Sequence, residues 1–443
     1  PKLIQRATEL GYPVLALALG LHMHMAPRTI RAYGHYAMVA HFSNGIIAGC
    51  TQSTFWARLF LYAILRHHAN APGIHIRSFL DDISQRAVSD TKQGVTVALA
   101  NAGVALAQDL VASGCVISKK STVLAKTLDM RLAIVRSMGM RNVAVSSGTY
   151  AKDLGVGTTL GGRRITRFVA QRILKAKGRV RRIAILSKVN RRAARLFNTG
   201  AWPQASYGKE AVGMAPCTLD SVRALAAASV NGGGSGGKCP TTLIWLGLGP
   251  QNDPAIRITV DQICMWFYLY STISDQDYIS KAWFDAKAFI VTARNRWATI
   301  KGPMAATIGT LLDIGWHPHG PTNWVDHEGT SWTYDGTGGL GPLLSKVREA
   351  VEVKLFNKAA KHEGGNGLQS GIDLTVPRKH IALLHKRGES PGLLMAIMSG
   401  GIWTQQRKYR ANLVDSPICP ICGKEEQDLF NLFWGCTYGY RSV

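Results

Sequence analysis

The alternation in Ile74-His75-Ile76-Arg77-Ser78-Phe79-Leu80 commits this stretch to an extended strand, which runs into two adjacent carboxylates, Asp81 and Asp82. Ile83-Ser84 can begin a return strand, so the pair is placed at a hairpin turn. On a flat strand neighbouring side chains point to opposite faces, but a tight turn relaxes that rule and lets the two groups converge. Two carboxylates about 4 Å apart repel by roughly 4 kcal/mol at an effective dielectric near 20. A hard divalent cation such as Mg²⁺ takes oxygen ligands of this kind and offsets the repulsion. A solvated Asp-Asp turn is the plain alternative, and the flanking sequence has to decide between them.

Charge narrows the choice. Lys plus Arg minus Asp plus Glu is 52 − 27 = +25 over 443 residues. Self-repulsion on that scale favours a polyanionic partner, nucleic acid first and an anionic membrane surface second. From Pro1 to Asp81 the only acidic residue is Glu9. The longest apolar run, Val14 to Leu21, is too short to span a bilayer, so no membrane partner is expected. Five of the eight cysteines (Cys50, Cys115, Cys217, Cys239 and Cys264) are scattered without pairing logic, which suggests a reducing, intracellular setting.

Taken in order, residues 1–44 read as helix, break, helix and an extended stretch. Gly45-Ile46-Ile47-Ala48-Gly49-Cys50-Thr51-Gln52-Ser53 is a small-residue turn that permits close backbone approach; in its plain reading it is a loop in which Ser53 caps a helix over about 54–67. After the hairpin come a helix over about 91–113, a strand over 116–124 carrying Lys119 and Lys120, a helix over 127–138, and strands over 142–147 and 151–156. That order predicts an α+β domain over 1–160, an antiparallel sheet with helices on one face.

Composition then shifts. From Arg163 to Arg195 there are 13 Lys or Arg residues and no Asp or Glu. Apolar positions at near-helical spacing predict a basic helical segment over 161–230 that Gly178 interrupts. Without acidic partners one turn away, the charge gains nothing internally, and phosphates are its natural counterpart. Asn231 to Cys239 is a glycine-rich linker. Residues 240–415 are expected to be mostly helical, with stretches over 260–272 and 283–297 and with their Trp and Phe residues in the core. His317 and His319 read as loop residues. The tail, 416–443, holds Cys419-Pro420-Ile421-Cys422-Gly423 and then Cys436. That turn aims two thiolates at one tetrahedral ion, a zinc half-site. Asn431 stands where a fourth ligand belongs, so zinc binding by Cys419, Cys422 and Cys436 is expected to be incomplete.

Together, GIIAGCTQS, FLDD, ISKKSTVLA, AKDLGV and the basic helix resemble the palm and thumb of a non-LTR (LINE-type) retrotransposon reverse transcriptase, and CPICG…C looks like the cysteine-histidine knuckle found downstream in several such elements. The resemblance covers about residues 1–200 and 419–436. It implies a polymerase palm, truncated at its N-terminus, followed by a helical basic thumb. It implies an RNA-directed DNA polymerase that uses Mg²⁺, an RNA template, a DNA primer and deoxynucleoside triphosphates, located in the nucleus or in a cytoplasmic ribonucleoprotein. Asp81 and Asp82 would be catalytic Mg²⁺ ligands, and Lys120 would face the triphosphate. Ala48 and Gly49 would lie against template and nucleotide, and Leu154-Gly155 would belong to the primer grip. Arg163, Arg164, Arg167, Arg172, Arg179, Arg181 and Arg182 would track the duplex. The family's further catalytic aspartate has no counterpart between Pro1 and Asp81, so polymerisation by this chain is expected to be poor. A catalytically dead nucleic-acid-binding remnant and a group II intron maturase-like protein are the alternatives.

Overall fold

Hydrophobic alternation and helical periodicity sort this chain into a mixed helix-and-sheet protein. The computed structural model describes residues 2–39, 50–187, 189–230, 237–336, 338–362, 364–436 and 438. The chain divides into two units, one formed by 1–154 with 159–161 and the other by 155–158 with 162–443.

The first unit opens with helices α1 (Lys2–Glu9) and α2 (Val14–Met25) and a hairpin of β1 (Arg28–Ala32) and β2 (His35–Val39). Helix α3 (Thr51–Ala69) leads into the hairpin of β3 (Ile74–Phe79) and β4 (Asp82–Ala87), and α4 (Lys92–Ala112) follows. Next come β5 (Thr122–Leu124), α5 (Leu128–Gly139), β6 (Ser146–Gly148) and β7 (Tyr150–Asp153), after which the chain enters β8 (Val156–Thr159), whose residues 156–158 belong to the second unit. The hydroxyls of Thr91 and Thr127 cap α4 and α5, accepting from the N–H groups of Gly94 (3.0 Å) and Met130 (3.4 Å). Ile74, Ile76 and Ile83 turn one face of the β3–β4 hairpin inward. Ile76 and Ile83 pack with Leu61, Ile64, Leu106 and Leu110 from α3 and α4. A second cluster joins α4 to α5 through Ala100, Val104, Ile134 and Met138, and a third gathers Ala7, Leu17 and Trp56.

Several expectations need correction. No continuous antiparallel sheet forms among the described residues; the strands make separate small sheets, and β5 with β6 is parallel. The strand expected over 116–124 shrinks to three residues because Ser118 to Ser121 is a turn, closed by Ser121 N–H on the Ser118 carbonyl at 3.0 Å. Helix α5 then crosses between β5 and β6, and a crossover of that kind makes the pair parallel. Helix α3 starts at Thr51 with Cys50 before it and no side-chain cap, so Ser53 is inside the helix. The 45–49 part of the small-residue turn, with Ala48 and Gly49, lies outside the described residues. One described helix, α4, is long and apolar enough to cross a membrane by length and composition, contrary to the reading of Val14–Leu21 as the limiting run. Its Ala-rich sequence conceals that hydropathy, and within the unit the helix packs against α3, α5 and β4.

The second unit is helical apart from one small sheet. Its described helices are α6 (Arg167–Ser187), α7 (Trp202–Ser206), α8 (Lys209–Val212), α9 (Pro216–Val230), α10 (Pro240–Gly247), α11 (Pro254–Thr272), α12 (Gln276–Thr292), α13 (Arg296–Thr299), α14 (Pro303–Asp313), α15 (Gly341–Ala360), α16 (Thr375–Lys386), α17 (Gly392–Met398) and α18 (Gln405–Arg410). Three short antiparallel strands separate α14 from α15. Gly178 does not interrupt α6; nothing lies within 4 Å of its missing Cβ, so it sits on the open face of a continuous helix. The expected helix over 283–297 is split between α12 and α13. Residues 231–236 of the linker lie outside the described residues.

One large core holds this unit together. Phe197, Trp266, Trp283, Trp316 and Trp324 are buried in it, and the Trp266 and Trp283 rings lie 4.9 Å apart. The core role expected for the Trp and Phe residues of 240–415 therefore holds for these four tryptophans. Within it Arg223 and Asp253 are both buried and joined by two bonds of 2.9 Å, from Nε to Oδ1 and from a terminal nitrogen to Oδ2. Such a bidentate pair satisfies two charges that neither could carry alone in the interior.

Candidate functional site

The β3–β4 hairpin presents the two aspartates as the alternation requires. Phe79 pairs with Asp82, so Leu80 and Asp81 form a two-residue loop. Leu80 takes φ +57°, the left-handed region that primed hairpin turns need at their first central position. A leucine there costs about 1–2 kcal/mol relative to an unstrained backbone, and strain of this kind clusters at functional turns. Asp81 and Asp82 are exposed and make no ion pair among the described residues. Lys120 is also exposed, in the turn before β5, where its N–H donates to Ser118 Oγ at 3.2 Å. No hydrogen bond or ion pair joins Lys120 to either aspartate among the described residues. Two adjacent exposed carboxylates offer oxygen donors of the kind that a hard divalent cation takes. They do not fit a pair of metals, because no third acidic group joins them among the described residues.

The basic segment sorts into two kinds of cation. Arg164 is turned inward: a terminal nitrogen donates to the Gly213 carbonyl at 3.2 Å, and the guanidinium lies 5.6 Å from the Trp297 ring centre. Burial lowers its pKa from the ordinary arginine value. Arg172 donates to the carbonyls of Gly155 and Tyr207 and stacks on the Tyr207 ring at 4.6 Å. Arg179 donates to the Gly200 carbonyl at 2.6 Å. Arg167, the first residue of α6, lies 5.8 Å from the Phe168 ring. Arg163, Arg181 and Arg182 are exposed and unpaired among the described residues, as are Lys175 and Lys177, which the sequence reading did not single out. The packed face of α6, with Ala176, Val180, Ile183 and Ala184 buried, leaves Lys177, Arg181 and Arg182 toward solvent.

At the C-terminal end the chain makes a tight knuckle. Gly423, at φ +64°, donates to the Cys419 carbonyl, and Cys419 N–H donates to the Glu425 carbonyl at 2.7 Å. Cys436 returns through a π-helical turn, Asn431–Gly435. The three sulfurs lie within 4.8 Å of one another, with Cys419 and Cys436 at 3.9 Å. Tetrahedral zinc with sulfurs at about 2.3 Å separates them by about 3.8 Å, so this donor set fits a soft or borderline metal. Backbone N–H groups of Glu425 and Lys424 pull the Cys422 thiol down to about 7, while burial and the neighbouring sulfurs raise that of Cys436 despite a bond from the Tyr438 N–H. Asn431 is buried; its Nδ2 donates to Glu425 Oε2 at 3.2 Å and its Oδ1 has no partner among the described residues. Sequence reading overlooked Arg58, Arg66 and Arg77, three arginines beside one groove in the first unit. The signal was present in the scarcity of acid before Asp81.

No family model matches the chain, and no characterised protein or solved structure matches it either.

Proposed function

We propose that this chain is a reverse-transcriptase segment of the non-LTR retrotransposon type, with an incomplete metal site and a working nucleic-acid surface. The carrying observation is the Asp81-Asp82 pair at a strained, exposed hairpin turn, with no ion pair to it among the described residues. The order of the quoted motifs and the free cations of α6 support the same reading. In it, Asp81 and Asp82 hold Mg²⁺, which supplies Lewis-acid stabilisation of a transferring phosphoryl group. Arg181, Arg182, Lys175 and Lys177 bind phosphates of a primer-template duplex, while base pairing selects the sequence. The cysteine knuckle holds a metal and orders the tail.

The test uses the full chain with Fe²⁺ in place of Mg²⁺. With hydrogen peroxide as oxidant and ascorbate to re-reduce the iron, Fe²⁺ held by the aspartates splits the peroxide to hydroxide and a hydroxyl radical that cuts the backbone near residues 79–84, and excess Mg²⁺ suppresses the cut. Asp81→Asn is expected to abolish that cleavage and to remove any residual primer extension. Extension by the wild-type chain is expected to be weak, since misplacing the primer hydroxyl by about 1 Å costs on the order of 100-fold. Cleavage or extension that survives Asp81→Asn overturns the reading.

A further inference from the structure

The knuckle in the tail is a built cup of three sulfurs. Cys419, Cys422 and Cys436 hold them within 4.8 Å of one another, and no histidine, carboxylate or further cysteine joins them among the described residues. Cys419 and Cys436 are buried. N–H donors fix the sulfurs in place: buried Gln427 reaches Cys419 Sγ through Nε2 at 3.4 Å, the backbone N–H groups of Lys424 and Glu425 point to Cys422, and that of Tyr438 points to Cys436. Orienting bonds of this kind set up the donors before an ion arrives. Asn431, where the spacing puts a fourth ligand, brings only a neutral amide, and its Nδ2 is taken by Glu425 Oε2 at 3.2 Å. An amide oxygen is a hard, uncharged donor and a poor match for an ion already held by thiolates.

The number of donors selects the ion. Structural zinc is closed by four ligands, and iron–sulfur clusters take four thiolates as well. Magnesium and calcium take oxygen. Copper(I) is soft, prefers thiolate, and is satisfied by three sulfurs in a plane. Distance alone does not choose between zinc and copper. Around an ion at about 2.3 Å, sulfurs stand about 3.8 Å apart in a tetrahedron and about 4.0 Å apart in a plane, and those of Cys419 and Cys436 are 3.9 Å apart. The missing fourth donor does choose. We infer that the knuckle is a copper(I) site, in which Cys419, Cys422 and Cys436 bind one Cu⁺ as thiolates and the chain supplies no fourth ligand. The three thiol protons pass to solvent and no electron moves. Such a site requires the metal-holding role proposed above for the knuckle, and it is independent of the polymerase reading and of the aspartate pair.

The test titrates the full chain, kept free of oxygen, with copper(I) supplied as its acetonitrile complex. Bathocuproine disulfonate competes for the ion, and its coloured copper complex fades as the chain withdraws copper. The unaltered chain is expected to withdraw one copper(I), and Cys436→Ser to weaken that binding by about 100-fold or more, beyond the cost of losing an outer-shell partner. Asn431→His separates the two coordination numbers: it tightens zinc, which gains a fourth ligand, and leaves copper(I) affinity unchanged. X-ray absorption of the copper-loaded unaltered chain needs no substitution, and is expected to show three sulfurs around copper and no nitrogen or oxygen. Zinc held by a chain that withdraws no copper(I) overturns the copper site and leaves the knuckle as a metal holder; failure to hold either ion overturns both. A nitrogen or oxygen ligand on copper, a copper(I) affinity that Asn431→His raises along with zinc, or one that Cys436→Ser leaves intact would each overturn the copper site as well.

Discussion

The two units of this protein bury their apolar residues differently. The second unit gathers its core into one cluster running from α6 to α15, built around five fully buried large aromatics and closed by the Arg223–Asp253 pair. The first unit distributes its core over three small clusters and leaves much apolar surface open, including Val14, Leu15 and Leu19 of α2. Its strands are short and two-stranded, a form that is marginal without packing partners. Side chains without an ion pair among the described residues are prominent there too: the aspartate pair, Lys120 and the groove arginines. Groups that await a ligand destabilise the apo fold, so a unit rich in them is expected to open first.

The largest effect tests that contrast directly. Of the 11 tryptophans only Trp56 lies in the first unit, so intrinsic fluorescence reports mainly on the second. Chemical denaturation is expected to give early proteolytic exposure of residues 2–154 and a later fluorescence transition. Trp283→Ala should weaken the later transition by about 3–5 kcal/mol, and Leu61→Ala should weaken only the earlier one by about 2 kcal/mol, because a small cluster collapses around the gap. One coincident transition moved equally by both substitutions would remove the distinction.

What the sequence made legible follows the same division. The β3–β4 hairpin was readable because strict alternation meets a two-residue turn, and local chemistry decides both. Trp266 of α11 and Trp283 of α12 were readable as core because each sits in an apolar helical stretch, where a large apolar side chain is buried by default. The sheet was not readable: whether β5 pairs with β6 or with the hairpin depends on long-range packing, and Ser118 to Ser121 gave too weak a turn signal. Nor could composition separate Arg164 and Arg172 from Arg181, since all are basic residues in one segment. Only the carbonyls of Gly155, Tyr207 and Gly213, brought close by tertiary structure, tell them apart.

The knuckle provides the next sharpening, an intermediate effect. Three thiols within 4.8 Å of one another supply three donors, while buried Asn431 contributes no thiolate or imidazole. Asn431→His is expected to tighten zinc binding about 10- to 100-fold, measured by competition with a chromogenic chelator, and to protect the tail from proteolysis. Tight stoichiometric zinc in the unaltered chain would show that a fourth ligand is already in place.

The smallest effect separates engaged from free cations within the second unit. Arg172 holds two backbone carbonyls and a tyrosine ring, so Arg172→Gln removes a stack and leaves two acceptors under-satisfied. The expected cost is about 1–2 kcal/mol, read as a fall in the fluorescence transition. Arg181 and Arg182 project into solvent, so Arg181→Gln with Arg182→Gln should leave that transition within about 0.5 kcal/mol of the original. Duplex binding should respond in the opposite sense. Two lost phosphate contacts flatten the salt slope by about 2 units, whereas the Arg172 variant should keep the wild-type slope. If Arg172→Gln instead flattens the slope without lowering stability, its carbonyl contacts yield to phosphate when duplex binds. The two kinds of cation on α6 are then one.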